Sequence, residues 1–194
     1  TVTGEIRTRH LYPSQVEDPA EGPAPGPEQG VELARRLSAP LVEHLRVVNK
    51  VSQNLHAEMM LRAVARARRG IGSRQAGIEE MKAFLAEVGI EESAYNLEDG
   101  SGLARLNLVT PAAVVRLLTH MWAQPSRQAW VSLLPVAAED GTLAWRFGRS
   151  RAAGRIRAKT GTLSHVSALS GYAERRRGGR YAFAIMVNNY NGTA

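Results

Sequence analysis

Apolar residues recur at helical spacing through the middle of the chain. Leu41, Leu45 and Val48 share one face of a predicted helix. A second apolar stripe follows, built from residues four apart and their neighbours: Leu55, Met59, Met60, Ala63, Val64 and Ala67. Gly70 and Gly72 are expected to end this second helix, because glycine readily adopts the left-handed conformation that closes a helix.

Two longer helices and a shorter one are predicted further along. The first covers about residues 75–88, stops at Gly89 and turns these residues inward: Ile78, Met81, Phe84, Leu85 and Val88. The second begins at Thr110, a good N-cap, with Pro111 at the first helical position. It carries these residues on its inner face: Val114, Leu117, Leu118 and Met121. A shorter helix is expected after Pro125.

The pattern then changes to strands over residues 155–160, 166–173 and 181–187. The turn at 174–179 is polar and glycine-rich, so the last two strands should form a hairpin. The last strand is apolar at every position and therefore needs cover on both faces. The predicted fold class is α+β: a helical subdomain beside an antiparallel sheet flanked by helices.

Residues 1–30 differ from the rest. Residues 2–7 favour a short strand, and a run of prolines then indicates a loop or linker: Pro13, Pro19, Pro23, Pro25 and Pro27. We therefore predict a linker at 1–30 and the C-terminal part of a folded domain at 31–194. Because Thr1 is not a start methionine, we expect the chain to be cut or processed at its front. No apolar run approaches the roughly 20 residues that a membrane helix needs.

Composition excludes some chemistry. The chain has no cysteine, which removes disulfides, zinc–thiolate sites and cysteine nucleophiles. Its net charge is +7, and all but three of its 25 basic residues are arginine. The arginines are scattered, with few aromatic residues among them to stack bases, so a solvated basic surface is favoured over nucleic-acid binding. Attraction to an anionic cell-wall polymer stays open.

The first candidate motif is Ser52-Gln53-Asn54, between two helical patterns. On a helix, residues two apart point about 200° apart around the axis. Ser52 and Asn54 can therefore line one cleft only if the segment is a loop or extended. The alternative is an ordinary helix start with Ser52 or Asn54 as its N-cap.

The second candidate motif is Lys159-Thr160-Gly161-Thr162, at the end of a predicted strand and 107 positions after Ser52. The lysine brings a positive charge to a cleft, and the two threonine hydroxyls can hold a carboxylate. Gly161 has no Cβ, so an extended peptide can approach the strand. The backbone N–H of Thr162 can donate to an oxyanion. The alternative is a turn with an exposed lysine. A phosphate-binding loop is excluded because Ala158, not glycine, precedes the lysine.

Three segments together resemble the class C low-molecular-mass penicillin-binding proteins, the D-alanyl-D-alanine carboxypeptidases and endopeptidases. They are residues 50–59 around the first motif, residues 99–111, and residues 158–163 with their partner 169–172. The resemblance runs from about Pro40 to Asn189. It implies a penicilloyl-serine transferase (β-lactamase/transpeptidase-like) fold with an inserted domain, from which residues 1–30 would be the return.

The resemblance also implies an acyl-transfer site made of Ser-x-x-Lys, Ser-x-Asn and Lys-Thr-Gly motifs. Ser52 would relay a proton to the leaving amine, Asn54 would bind the acyl-side amide of the substrate, and Lys159 would polarise Ser52. No serine stands three positions before any lysine, since those positions hold Val47, Glu79 and Ile156. The nucleophilic serine is therefore expected upstream of this chain, which alone would be inactive.

The remaining roles concern the substrate. Thr160 and Thr162 would bind the terminal carboxylate of a peptidoglycan peptide ending in D-Ala-D-Ala, or that of a β-lactam antibiotic. The N–H of Thr162 would supply half of the oxyanion hole. The resemblance implies no metal or organic cofactor, no nucleic acid, and an extracytoplasmic location. The alternative function is a non-catalytic peptidoglycan- or β-lactam-binding module of the same fold.

Overall fold

The structure, a computed structural model, describes residues 34–192. Its helices are α1 (Leu41–Lys50), α2 (Asn54–Arg69), α3 (Arg74–Glu87), α4 (Pro111–Ala123) and α5 (Arg127–Leu133). Its strands are β1 (Tyr95–Asn96), β2 (Leu108–Val109), β3 (Ile156–Leu163), β4 (Val166–Glu174) and β5 (Arg180–Asn188). Single 3₁₀ turns lie at Glu92–Ala94 and Gly141–Leu143. The predicted linker at 1–30 and the strand at 2–7 lie outside the described residues.

Local signals set the helix ends as predicted. Gly70 closes α2 with a φ of +76°, a conformation that costs glycine little. The Thr110 hydroxyl accepts a hydrogen bond from the N–H of Ala113 at 3.2 Å, and Pro111 follows as the first residue of α4. Across residues 34–192, no helix is long and apolar enough to cross a membrane.

The buried face of α2 differs from the prediction. Leu61 and Ala65 are buried, whereas Leu55 of the predicted stripe is 64% exposed and Met59 is 51% exposed. The reason is the close approach of α3: a Cβ on Gly77 would lie 2.6 Å from Cγ of Leu61. The contact between the two helices is thus set by the position of one glycine rather than by the largest apolar side chains.

The inner face of α3 is partly as predicted. Ile78 of α3 is buried. Val88, the residue that follows the last residue of α3, is also buried and packs with Ile90 and Ala113 in a small core. Phe84, predicted to point inward, is 41% exposed and meets the ring of His120 edge to face. It lies at the rim of the helical region rather than in its core.

The sheet is antiparallel in the order β3-β4-β5. The predicted hairpin is present, with Glu174 paired to Arg180 beside the turn. Strand β3 is at the edge, and only a single bridge between Val136 and Arg157 lies on its outer side in the described chain. Its end, from Lys159 onward, therefore has an open edge.

The two faces of this sheet are covered unequally. On one face, α4 and α5 pack around the buried Tyr172, whose hydroxyl accepts from Nε1 of Trp130 at 3.0 Å and donates to the Leu118 carbonyl at 2.7 Å. On the other face, Ile185 of β5 is 57% exposed. Among residues 34–192, cover of β5 is thus found on one face, not on both as expected.

Candidate active site

Ser52 lies in the short connection between α1 and α2, off both helices, at a φ of +59°. The side chain of Gln53, not of Ser52 or Asn54, caps α2 by accepting a hydrogen bond from the N–H of His56 at 2.9 Å. The alternative that Ser52 or Asn54 serves as the N-cap is therefore wrong. The Ser52 hydroxyl is free to face the sheet.

Lys159 on β3 meets that hydroxyl. Its Nζ donates to Oγ of Ser52 at 2.7 Å and to the carbonyl of Thr160 at 2.6 Å. Partial burial lowers the pKa of the Lys159 ammonium, because desolvation disfavours its charged form. The two sequence motifs thus meet directly, through a cation and a hydroxyl held within hydrogen-bonding distance.

The other motif residues lie on the same two elements. Asn54 is the exposed first residue of α2, and Gly161 and Thr162 are exposed on β3. The hydroxyl of Thr160 donates to the hydroxyl of Thr142 at 2.8 Å. Within the described part of the chain, no hydrogen bond joins the side chains of Asn54 or Thr162 to the Ser52–Lys159 pair. They border it and are open to a ligand.

Sequence reasoning missed an ion pair beside the first motif. Nζ of Lys50 donates to Oδ2 of Asp140 at 2.5 Å and to the carbonyl of Leu134 at 2.6 Å. Oδ1 of Asp140 in turn accepts from the N–H of Val136 at 2.8 Å. The one available signal was a rare lysine two positions before Ser52, since the sequence has only two others.

A second missed residue, Glu58, ties α2 to the loop that follows β1. One oxygen of its carboxylate accepts hydrogen bonds from the N–H groups of Gly100 at 2.9 Å and Ser101 at 2.8 Å. Glu58 stands four residues after Asn54. The start of α2, and with it the first motif, is therefore fixed against residues some forty positions away.

The same loop is organised by Asp99. Its carboxylate accepts from Nδ2 of Asn107 and from the N–H groups of Gly102 and Ala104, each at 2.7 Å. Burial alone would raise the pKa of Asp99, but these hydrogen bonds outweigh it and lower the pKa below its usual range. The carboxylate is thus held ionised as the centre of the loop.

No group of three or more histidine, aspartate or glutamate side chains in the described chain is spaced to hold a metal ion. The groups that form the candidate site are a hydroxyl, an ammonium and an open strand edge. Such groups suit proton transfer and recognition of an anionic peptide end.

Comparison with solved structures identifies the fold. Penicillin binding protein 4 from Haemophilus influenzae superposes with a TM-score of 0.79 at 34% identity, covering 87% of this chain and 38% of that one. The same protein complexed with a β-lactam gives 0.78, covering 89% and 40%. An extended-spectrum β-lactamase at 16% identity gives 0.61 over 81% of this chain and 58% of that one. The fold is that of the penicilloyl-serine transferases, as predicted.

Comparison of sequences identifies the family. The family model of the D-Ala-D-Ala carboxypeptidase 3 (S13) family matches residues 21–194. A D-alanyl-D-alanine carboxypeptidase of Actinomadura sp. is 42% identical over 167 residues, which are 84% of this chain and 31% of that protein. Carboxypeptidase DacB of Mycolicibacterium smegmatis is 38% identical over 165 residues, 81% of this chain and 35% of that protein. The chain belongs to the D-Ala-D-Ala carboxypeptidase 3 (S13) family. It spans about a third of the length of these relatives.

Proposed function

We propose that the protein containing this chain is a serine-type DD-peptidase that acts on peptidoglycan stem peptides. The observation that carries the proposal is the 2.7 Å hydrogen bond from Lys159 to Ser52, which joins two motifs 107 positions apart. The nucleophilic serine belongs to a segment upstream of this chain. Its hydroxyl attacks the carbonyl of the penultimate D-Ala, the terminal D-Ala leaves as an amine, and water then hydrolyses the acyl-enzyme ester.

Each motif residue has a part in that reaction. Ser52 passes a proton to the leaving amine, and Lys159 keeps the Ser52 hydroxyl polarised. Asn54 binds the acyl-side amide from the start of α2. The hydroxyls of Thr160 and Thr162 bind the terminal carboxylate beside the ammonium, and the glycine between them lets the peptide lie along β3.

The exposed apolar side chains support an upstream partner segment. Leu55 and Met59 on α2 are 64% and 51% exposed, although large apolar side chains gain stability by burial. We assign their cover to the upstream part of the same protein, which would bring the nucleophile next to Ser52. Because the proposed substrate is part of the cell wall, we infer that the protein acts outside the cytoplasm.

The test is intact-mass spectrometry of the natural protein, including its upstream region, with and without a penicillin. We expect a mass gain of one drug molecule, located by peptide mapping on a serine outside these 194 residues. Ser52→Ala should slow adduct formation by about 10²-fold or more, the usual size of a lost proton-transfer group. The matched control is Ser132→Ala, at an exposed hydroxyl on α5, which should leave the rate unchanged.

Two results would contradict the proposal. Adduct formation at the normal rate in Ser52→Ala would remove the role of Ser52. No adduct at all, in a protein whose upstream region lacks Ser-x-x-Lys, would instead favour a wall-peptide- or β-lactam-binding module that keeps the fold without the chemistry.

A further inference from the structure

One short turn, residues 140–142, contacts the second motif of the candidate site and the end of α1 that leads into the first. Asp140 binds Lys50, two residues before Ser52, and Thr142 binds Thr160, the residue after Lys159. We propose that this turn is a positioning element that fixes the separation between Ser52 and Lys159 and holds the hydroxyl of Thr160 in place. The catalytic role of that separation rests on the proposed function.

The first contact fixes the end of α1. The side chain of Lys50 is only 16% exposed, and its ammonium lies between Asp140 at 2.5 Å and the carbonyl of Leu134 at 2.6 Å. The second oxygen of Asp140 is held by the N–H of Val136. A mostly buried lysine with a charged partner is costly to displace, because moving either group leaves the other unpaired. The backbone that leads into Ser52 therefore starts from a fixed point.

The second contact is the close approach of Gly141 to the end of α1 and to Pro135. Gly141 has a φ of +57°, and a Cβ on it would lie 2.5 Å from the carbonyl oxygen of Lys50 and 3.1 Å from Cβ of Pro135. No other residue fits there without moving the end of α1 or the turn. The turn thus lies directly against the backbone that leads to Ser52.

The third contact reaches the opposite motif. Thr142 stands in the 3₁₀ turn Gly141–Leu143, and the side chain of Leu143 is fully buried beneath it. The hydroxyl of Thr142 accepts a hydrogen bond from the hydroxyl of Thr160 at 2.8 Å. Because the base of the turn is anchored in the core, the hydroxyl oxygen of Thr160 is held in place before any ligand arrives. Either hydroxyl of this pair can donate, so when Thr160 donates to a ligand carboxylate, Thr142 donates to the oxygen of Thr160 and keeps it in position.

The strand side of the turn is fixed by main-chain hydrogen bonds. The N–H of Ala158 donates to the carbonyl of Pro135, and the N–H of Ala137 donates to the carbonyl of Ile156, each at 2.9 Å. The segment that leads into the turn is thus joined to β3 by backbone and to α1 by a side chain. Misplacing a reacting group by about 1 Å can cost a reaction about 10²-fold.

The experiment compares variants of the natural protein, including its upstream region, in their reaction with a penicillin. Asp140→Asn keeps an oxygen for Val136 but removes the charge that holds Lys50. Thr142→Val keeps the shape and removes the hydroxyl, and Thr142→Ser keeps the hydroxyl. The matched controls are two exposed residues, Glu139→Gln and Thr119→Val.

The substitutions at Asp140 and Thr142 should affect different steps of the reaction with penicillin. Asp140→Asn should slow the acylation step about tenfold with little change in initial binding, because Ser52 moves while the carboxylate site stays. Thr142→Val should weaken initial binding about tenfold, because the hydroxyl of Thr160 is no longer held in place, and Thr142→Ser should restore it. Both controls should react like the unsubstituted protein. If binding and acylation fall in proportion to a loss of folded protein, the turn is structural only and the inference is wrong.

A second readout does not depend on activity. Hydrogen exchange followed by mass spectrometry on the same proteins should show faster exchange of the backbone amides at residues 50–54 in Asp140→Asn, and not in Glu139→Gln. If the unsubstituted protein forms no penicillin adduct, the proposed function fails and the exchange result alone decides the inference. If an adduct forms but hydrogen exchange, initial binding and the acylation rate are all unchanged in Asp140→Asn, the inference fails and the proposed function stands.

Discussion

The two sides of the candidate site are held in place in different ways. Lys159 stands within a β-ladder, paired with Ser170 in a continuous register that runs from Ile156 to Leu163. Ser52 stands in a three-residue connection at a positive φ. The connection is held by a few side-chain hydrogen bonds, including Lys50 to the distant Asp140 and the N–H of His56 to Gln53. The strand side is secured by many similar main-chain bonds, whereas the loop side depends on a few individual side chains. Substitutions should therefore act on the strand side through packing and on the loop side through single hydrogen bonds.

The largest effect is expected where β4 passes closest to β3. A Cβ on Gly171 would lie 2.1 Å from the carbonyl oxygen of Arg157 and 2.6 Å from Cα of Ala158. Both are backbone atoms and cannot rotate away, so Gly171→Ala has to push the strands apart. We expect a loss of about 3 kcal/mol in the free energy of unfolding, the upper end for overpacking. Chemical denaturation of the natural protein measures it.

Gly161→Ala is the matched control for that substitution. Its Cβ would meet only Cβ of Ala168 at 3.6 Å, an ordinary contact on the same pair of strands. Its unfolding free energy should change by less than about 0.5 kcal/mol. Equal losses in the two variants would show that the strand side is not limited by packing at Gly171.

The next largest effect concerns the hydroxyl of Tyr172, which is buried between the sheet and the helices. Tyr172→Phe leaves both Nε1 of Trp130 and the carbonyl of Leu118 without their present partner in a buried site. We expect a loss of about 2 kcal/mol, since an unsatisfied buried polar group costs about 1–3 kcal/mol. Thermal and chemical unfolding would measure it. Tyr181→Phe, at an exposed tyrosine of β5, should be neutral, and a similar loss there would contradict the assignment.

On the loop side, Glu58 is expected to act through its two amide contacts. Glu58→Ala removes the acceptor for Gly100 and Ser101, and we expect a loss of about 1.5 kcal/mol, typical of hydrogen bonds to a charged group. Glu58→Gln keeps one oxygen and should recover part of it. Glu87→Ala, at an exposed carboxylate ending α3, should change stability by less than about 0.5 kcal/mol. A neutral Glu58→Ala would mean that the loop side does not depend on this side chain.

Sequence patterns predicted the parts of this molecule that depend on neighbours in the chain. The cap at Thr110, the stop at Gly70 and the hairpin after Glu174 each follow from residues a few positions apart, which is why local preferences were enough. The meeting of Ser52 with Lys159 was predicted through the family resemblance rather than from spacing.

Features that depend on distant contacts were missed. The buried face of α2 is decided by Gly77 of α3, and the fixed end of α1 is decided by Asp140, which is 90 positions after Lys50. Asp140 carries no local signal of its contact, because an aspartate before a glycine is as typical of an ordinary turn as of a buried ion pair. Such contacts become visible only when the chain is folded.

The smallest predicted effects are changes in the free energy of unfolding with pH, and they differ between the loop side and the strand side of the site. Hydrogen bonds lower the pKa of Asp99 in the folded state, so its contribution to stability is complete above its unfolded pKa of about 3.9 and is lost as the pH falls through the lower folded value. Asp99→Asn should therefore be less stable at neutral pH, and the difference from the unsubstituted protein should shrink as the solution is acidified. Unfolding free energies measured from neutral pH into the acid range would show it.

Lys159 provides the contrast on the strand side. Burial lowers its pKa, so between the folded value and the unfolded value of about 10.4 the unfolded chain binds the extra proton, and stability rises with pH there. Lys159→Met should abolish that rise between the two pKa values of the lysine, and the acid dependence, which comes from carboxylates, should remain. Asp99→Asn should reduce the acid dependence and leave the alkaline rise unchanged. An acid dependence of full size in Asp99→Asn would mean that other carboxylates, such as Glu80, whose hydrogen bonds to arginine also lower its pKa, set the stability in acid.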